Sequence, residues 1–197
     1  MARGRRVNSS GEKSKQLLLE KAIEQFSTHG YHQTKISDIV KAANLTQPTF
    51  YLYFQSKESL FNDLNEQFQK NLDDIFADGQ VEPKNEQDVH NTVQANLTSI
   101  FSFFAENPKL TRIGFYESEQ AADVKDKLVQ QIMKDLNTEK HQVAASNHVK
   151  TRTLAESLLG TIERLTLTNL LTKESEPEKL AQDIMEIYFM RQPELVR

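Results

Sequence analysis

Residues 34–60 read TKISDIVKAANLTQPTFYLYFQSKESL, and that stretch spells two short helices with a tight turn between them. Ile36, Ile39, Val40 and Ala43 recur at the i, i+3, i+4, i+7 spacing of a single helix face, and Thr34 stands where a side-chain cap belongs. Asn44 follows, and asparagine accepts left-handed backbone better than most residues, so the turn closes there. Thr46 is the next cap. Gln47 and Pro48 occupy the first turn, where proline's missing N–H forfeits no helical bond, and the helix is expected to run through Tyr53. Ser56 caps a further, long helix from about residue 57 to about residue 76, striped by Leu60, Phe61, Leu64, Phe68, Leu72, Ile75 and Phe76.

The same periodicity extends in both directions. Leu19, Ala22, Ile23 and Phe26 mark a first helix over 12–29, stopped by Gly30. After the polar stretch ADGQVEPKNE (77–86), Val89, Val93, Leu97, Ile100, Phe101 and Phe104 mark a fifth helix. Asn107 is placed to cap a short sixth across Leu110, Ile113 and Phe115; Val124, Leu128, Ile132 and Leu136 mark a seventh; residues 151–172 and 178–190 form the last two, with Pro177 near the start of the final one. The expected fold is all-α, with about nine helices and four parts: a flexible basic arm (1–11), a helix-turn-helix head (12–57, its motif about 35–54), a connecting helix (58–76) and a helical body (77–197).

Composition agrees and narrows the function. Only 6 Gly and 5 Pro in 197 residues disfavour the frequent turns of an all-β fold. With 38% hydrophobic and 26% charged residues the chain reads as an ordinary globular protein. It has no cysteine, which removes disulfides, thiolate nucleophiles and Cys-ligated metals. There is no run of 18 apolar residues and no apolar stretch before Leu17, so membrane spanning and secretion are disfavoured and a cytoplasmic protein is expected. His141 and His148 lie seven apart with no third ligand in view, so neither a metal nor a cofactor is expected. No Ser/His/Asp spacing, phosphate loop or HExxH motif supports an enzyme.

The net charge of −4 conceals an asymmetry: residues 1–62 carry nine Lys/Arg against five acids, a balance of +4, while the remainder stands at −8. A basic head on an acidic body suits a head that meets a polyanion. In the second short helix each residue type has a use on a duplex. Gln47 can donate and accept at adenine N6/N7, and Pro48 and the Thr49 methyl can pack on thymine methyls. Thr46, Tyr51 and Tyr53 can reach phosphate oxygens, and Lys57 sits at a helix N-terminus, which attracts a phosphate. The rival for Tyr53 is simple packing on the head's core; Phe50 and Phe54 are assigned to that core. Arg3, Arg5 and Arg6 either follow a minor groove or remain an undocked tail.

From Leu17 to Leu60 the pattern Ala22, Phe26, Gly30-Tyr31, Thr34, Ile39, Ala43, Leu45-Thr46, Thr49, Tyr51, Tyr53-Phe54 and Lys57-Glu58-x-Leu60 resembles the DNA-binding domain of the tetracycline-repressor (TetR/AcrR) family, over about a quarter of the chain. It departs at Asn44, where that family prefers glycine, and at Pro48, where many members carry a small residue. The resemblance implies a ligand-responsive transcriptional regulator, most often a repressor, in which Gln47, Pro48 and Thr49 face bases or sugar–phosphate, Tyr51, Tyr53 and Lys57 hold the backbone, and Lys35 and Ser37 reach in from the preceding helix.

One helix-turn-helix covers only a half-site, so a homodimer on a near-palindromic operator is expected. The last two helices are apolar on more than one face; the resemblance implies that they pair across a twofold axis, with Leu158, Ile162, Leu165, Ile184, Ile187 and Tyr188 as interface candidates. The alternative is that these helices are simply central in the subunit. Phe101, Phe103, Phe104, Phe115 and Tyr116 fall within 16 residues, and by the resemblance Phe101, Phe104, Phe115 and Tyr116 line an effector pocket in which Arg112, Glu117, Gln131 and Arg164 could orient a hydrophobic or amphipathic molecule. Ordinary core is the competing reading of that cluster. A helical interaction scaffold, or less readily an enzyme, is the alternative to a regulator; salt-dependent binding to promoter DNA separates them.

Overall fold

The computed structural model describes residues 6–78, 86–136 and 150–189, and every regular element among them is helical. Two compact units emerge: one holds the chain up to Gln69 together with Lys109–Glu119, the other Lys70–Pro108 and the chain from Gln120. The division differs from the expected one, because a segment from the middle of the chain joins the head.

In the head unit, α1 runs Arg6–His29 and buries Leu18, Leu19, Ala22 and Phe26. It begins six residues before the expected start, so Arg6–Gly11 is helix rather than flexible arm; Arg3 and Arg5 lie outside the described residues. Its second turn is braced from outside, with Tyr53 Oη close to the position a Gly11 Cβ would take (3.4 Å). α1 ends as Gly30 enters left-handed backbone at φ 81 and donates its N–H to Phe26 O (2.8 Å). Thr34 does not cap the next helix. Its hydroxyl donates to Gly30 O (2.9 Å) and Gln25 O (3.2 Å), serving the end of α1 instead. Lys35 holds the cap position of α2 (Ile36–Ala42), and the Asp38 carboxylate reaches back to accept the Lys35 N–H (3.1 Å).

Asn44 stands at φ 53, the left-handed residue the turn needs. Thr46 then caps α3 (Gln47–Tyr51), its Oγ1 accepting the Thr49 N–H (3.3 Å). α3 stops at Tyr51 rather than Tyr53, because the N–H groups of Tyr53 and Phe54 both turn back to Phe50 O (each 3.0 Å) and close the helix early. Ser56 and Ser59 then cap each other reciprocally, Ser59 N–H to Ser56 Oγ and Ser56 N–H to Ser59 Oγ (both 3.1 Å), opening α4 (Lys57–Asp78). α4 passes from the head unit into the body unit at Gln69–Lys70.

α6 (Pro108–Thr111) widens into π-type turns over Arg112–Glu117 and packs in the head unit. Gly114 makes this possible. A Cβ there would stand 2.4 Å from Phe68 Cγ and 2.5 Å from its Cδ1, so only glycine lets the ring of α4 approach the backbone so closely.

The body unit contains α5 (Glu86–Glu106), α7 (Ala121–Leu136), α8 (Thr151–Leu165, continued by wider turns over Thr166–Leu170) and α9 (Pro177–Tyr188). α5 packs against α9, and α7 against α8. Asn107, expected to cap α6, instead sends its Nδ2 back to Phe103 O (3.0 Å) and satisfies the end of α5. His141 and His148 lie outside the described residues, and no described His, Asp or Glu cluster could hold a metal.

Candidate nucleic-acid interface and body cavity

α3 is five residues long and buries only Phe50, at 0% exposure. A helix so short has no stability of its own, so that ring and its contact with Phe54 (centroids 5.4 Å apart) set where α3 lies. The rest of it is exposed or half-buried. Thr46, Gln47 and Pro48 are exposed, Tyr51 is 56% exposed, and Thr49 is half-buried with its hydroxyl 2.9 Å from that of Thr46. Lys35 and Ser37 are exposed at the start of α2, which packs on α3. Tyr53 is half-buried. Leu52, just beyond α3, is 76% exposed, and as an aliphatic side chain it carries no polar signal in the sequence.

Lys57, which the resemblance places on the DNA backbone, also has partners within the head. Its ammonium turns inward, donating to Tyr31 O (2.7 Å) and Thr34 O (2.9 Å) and lying 4.3 Å from the centre of the Tyr31 ring. Tyr31 in turn packs on Phe61 (4.6 Å) and Phe26 (5.5 Å). Burial, with Glu58 and Glu119 nearby, pushes the Tyr31 phenol above its ordinary range, so it stays neutral. Lys57 therefore ties the α1–α2 connection to the start of α4, with two of the three N–H donors of its ammonium spent on backbone carbonyls.

In the body unit a small cavity opens between the last turns of α4 and helices α5, α7 and α8, walled by Phe76, Leu97, Ile100, Ile132, Leu158 and Ile162. The centre of a water molecule can move through about 20 Å³ of it. None of the residues proposed for an effector pocket lines this cavity. Phe101 and Phe104 are completely buried, Phe115 is buried against Phe68 in the head unit with Tyr116 beside it, and Arg112 and Arg164 are exposed. A buried phenylalanine contributes about 1.5–3 kcal/mol to folding, which accounts for the aromatic cluster as core. Gln131 is hydrogen-bonded to a lining residue.

That residue is Asp135. Its Oδ1 accepts from Gln131 Nε2 (2.7 Å) and its Oδ2 from Asn96 Nδ2 (3.1 Å), and Asn96 and Asp135 both line the cavity. The signal was present in the sequence. Asn96 follows Val89 by seven residues and Asp135 follows Leu128 by seven, so each is a polar residue on an apolar stripe. Burial raises the Asp135 carboxyl above its ordinary value, against the opposing effect of the two amides and Lys134. The folded chain thus holds this proton more tightly than the unfolded one, and ionisation of Asp135 is a cost to folding that vanishes as pH falls through the carboxylate range. Asp135→Asn is expected to change Tm more favourably, relative to the parent, at pH 7 than at pH 4; a difference that is flat or reversed between those pH values in thermal melts would contradict the assignment.

The dimer candidates also divide. Leu158, Ile162 and Ile184 are buried within the subunit at 2%, 0% and 0% exposure, so they serve its own core. Ile187 is 70% exposed, Leu167 36%, and Leu154, Leu165 and Tyr188 are half-buried. Tyr188 Oη is anchored between α8 and α9 by Thr161 Oγ1 (2.6 Å) and Ser157 Oγ (3.0 Å).

A capped short helix presented by one buried ring, preceded by a left-handed asparagine turn and a second short helix, is a helix-turn-helix of the DNA-reading kind. Residues 18–64 match the family described as "Bacterial regulatory proteins, tetR family". The chain is similar to an uncharacterized HTH-type transcriptional regulator, YdgC, of Bacillus subtilis (strain 168), at 35% identity over 182 residues, 92% of this chain and 93% of the relative. Its fold resembles a TetR-like transcriptional regulator from Rhodococcus sp. RHA1 (TM-score 0.73, 20% identity, 88% of this chain and 92% of that one). It also resembles the regulator FadR of Bacillus subtilis, solved with stearoyl-CoA (TM-score 0.68, 17% identity, 90% and 99%). The chain belongs to the TetR family of DNA-binding transcriptional regulators. Proteins of this family bind DNA and small-molecule effectors, typically as dimers. No described helix is long and apolar enough to cross a membrane.

Proposed function

We propose that the chain is a cytoplasmic repressor that occupies a twofold-symmetric operator as a homodimer and is released when a small apolar or amphipathic effector enters the body. The observation that carries the reading is the outward presentation of Gln47, Pro48 and Tyr51 from a helix whose only buried residue is Phe50. Gln47 reads a base edge, Pro48 and the Thr49 methyl pack on thymine methyls, and Thr46, Tyr51, Tyr53, Lys35 and Ser37 meet the phosphates. The head then extends through α3 and the start of α4 and borrows α6, while the body supplies effector binding and dimerisation. The exposed outer surfaces of α8 and α9, with Ile187, Leu165, Leu167 and Tyr188, are the pairing surface, in place of the buried Leu158, Ile162 and Ile184. An effector acts only if it binds the DNA-incompatible arrangement more tightly, and α4, shared by both units, is the element through which that preference is transmitted.

Footprinting on the DNA flanking the coding sequence, followed by titrations across salt concentration, tests this. Gln47→Ala is expected to lose about 1–3 kcal/mol on the protected site and to relax discrimination at one base pair, with little effect on random duplex. Lys57→Met should weaken all duplexes alike through a loosened α1–α2 connection while leaving the salt slope unchanged. A slope reduced by about one would instead assign the ammonium to a phosphate. Absence of any protected site overturns the reading.

A further inference from the structure

The body cavity carries a group that a purely apolar ligand would have no use for. Asp135 stands half-buried at the edge of aliphatic walls, with each carboxylate oxygen accepting one amide N–H, from Gln131 at 2.7 Å and from Asn96 at 3.1 Å. A carboxylate has about four acceptor positions, so about two remain, and neither amide cancels the charge. Among the described residues no Lys, Arg or His forms an ion pair with it. A carboxylate removed from water without a counter-ion is costly, and the ligand group that relieves the cost is a cation with N–H donors. A carboxylate or phosphate head in the same place would set like charges together in a poorly hydrated site.

The remaining walls limit shape. Ile100, Ile132, Leu158 and Ile162 are aliphatic and offer no polar partner, and the room for a water centre, about 20 Å³, is that of a single water. A ligand must therefore part α7 from α5 and α8, and a slender unbranched chain requires less parting than a flat polycycle. We propose that this cavity is an effector site selective for amphipathic aliphatic amines, with the protonated amine on Asp135 beside Asn96 and Gln131 and the chain along Ile132, Leu158 and Ile162. The assignment rests on reading the body as the effector-binding part.

Calorimetric titration of the full chain at pH 7 with n-octylamine, n-octanoate and n-octanol tests it, with DNA binding measured on the same preparations. Octylamine is expected to bind at least tenfold tighter than octanoate. Asp135→Asn should remove most of that preference, and Ile132→Trp, which fills the cavity and leaves the carboxylate in place, should abolish binding of both. Octanoate binding as tightly as octylamine, or octylamine binding unchanged in a folded Asp135→Asn or Ile132→Trp, overturns the proposal. If Asp135→Asn does not fold by circular dichroism, the parent's amine preference and its loss in Ile132→Trp decide alone. Promoter binding without amine binding rejects only this cavity's assignment; amine binding without any promoter binding rejects the repressor reading and leaves the cavity standing.

Discussion

Phe50→Ala is expected to destabilise the head by about 3–5 kcal/mol and to eliminate binding to specific and random DNA together. The ring is 0% exposed and is the sole buried side chain of a five-residue helix. Its removal leaves α3 with one side-chain cap, Thr46, and caps contribute only about 1 kcal/mol. With the buried anchor gone the outward residues lose their common register on the head, so the loss should not depend on sequence, in contrast to Gln47→Ala. Thermal melts followed by circular dichroism, with anisotropy titrations on the protected site and a scrambled duplex, measure both quantities. A folded Phe50→Ala chain that keeps parental affinity for either duplex would show that α3 is positioned by something other than this contact.

Gly114→Ala is the second large effect, and it acts far along the chain from α3. The added methyl would meet Phe68 at 2.4 Å from Cγ, 2.5 Å from Cδ1 and 3.0 Å from Cβ. Those are atoms at the root of the side chain, which cannot swing aside as a flexible tip can, and Phe68 itself is 0% exposed. Either α4 or the wide turns of α6 must shift, and overpacking of this kind costs about 1–3 kcal/mol or more. A lowered Tm is expected, with a further drop for Gly114→Val. Phe68→Ala should be less damaging in the Gly114→Ala background than in the parent, with a coupling of about 0.5–3 kcal/mol in a double-mutant cycle. Additive losses would mean that the methyl finds room by another route.

Much of the head can be read directly from residues 34–60. The Asn44 turn, the Thr46 cap and the Ser56 cap each depend on atoms within a few residues of one another, so the chain order carries the whole interaction. Two side chains of the head have partners that local spacing does not reveal. Thr34 and Lys57 are plausible as a cap and a phosphate ligand on local grounds, yet both are drawn to the carbonyls where α1 gives way to α2, and for Lys57 that partner lies more than twenty residues away. Asn107 shows the same ambiguity over a single turn, since an asparagine between two helices can serve the carbonyls behind it or the N–H groups ahead.

In the body, periodicity marks the helices but cannot say what each apolar face touches, because core, partner surface and cavity wall all ask for the same residues at the same spacing. Leu158 and Ile162 are core and cavity wall, Ile187 on the neighbouring helix is exposed, and no spacing rule distinguishes them. The helical class, the order of helices and the helix-turn-helix segment were therefore determined by the amino-acid sequence itself, through short-range hydrogen bonds and one-face hydrophobic spacing. The recruitment of α6 to the head through Gly114, the inward turn of Lys57 and the meeting of Asn96 with Asp135 were decided by tertiary packing alone, because each depends on which surfaces of distant helices come within a few ångströms.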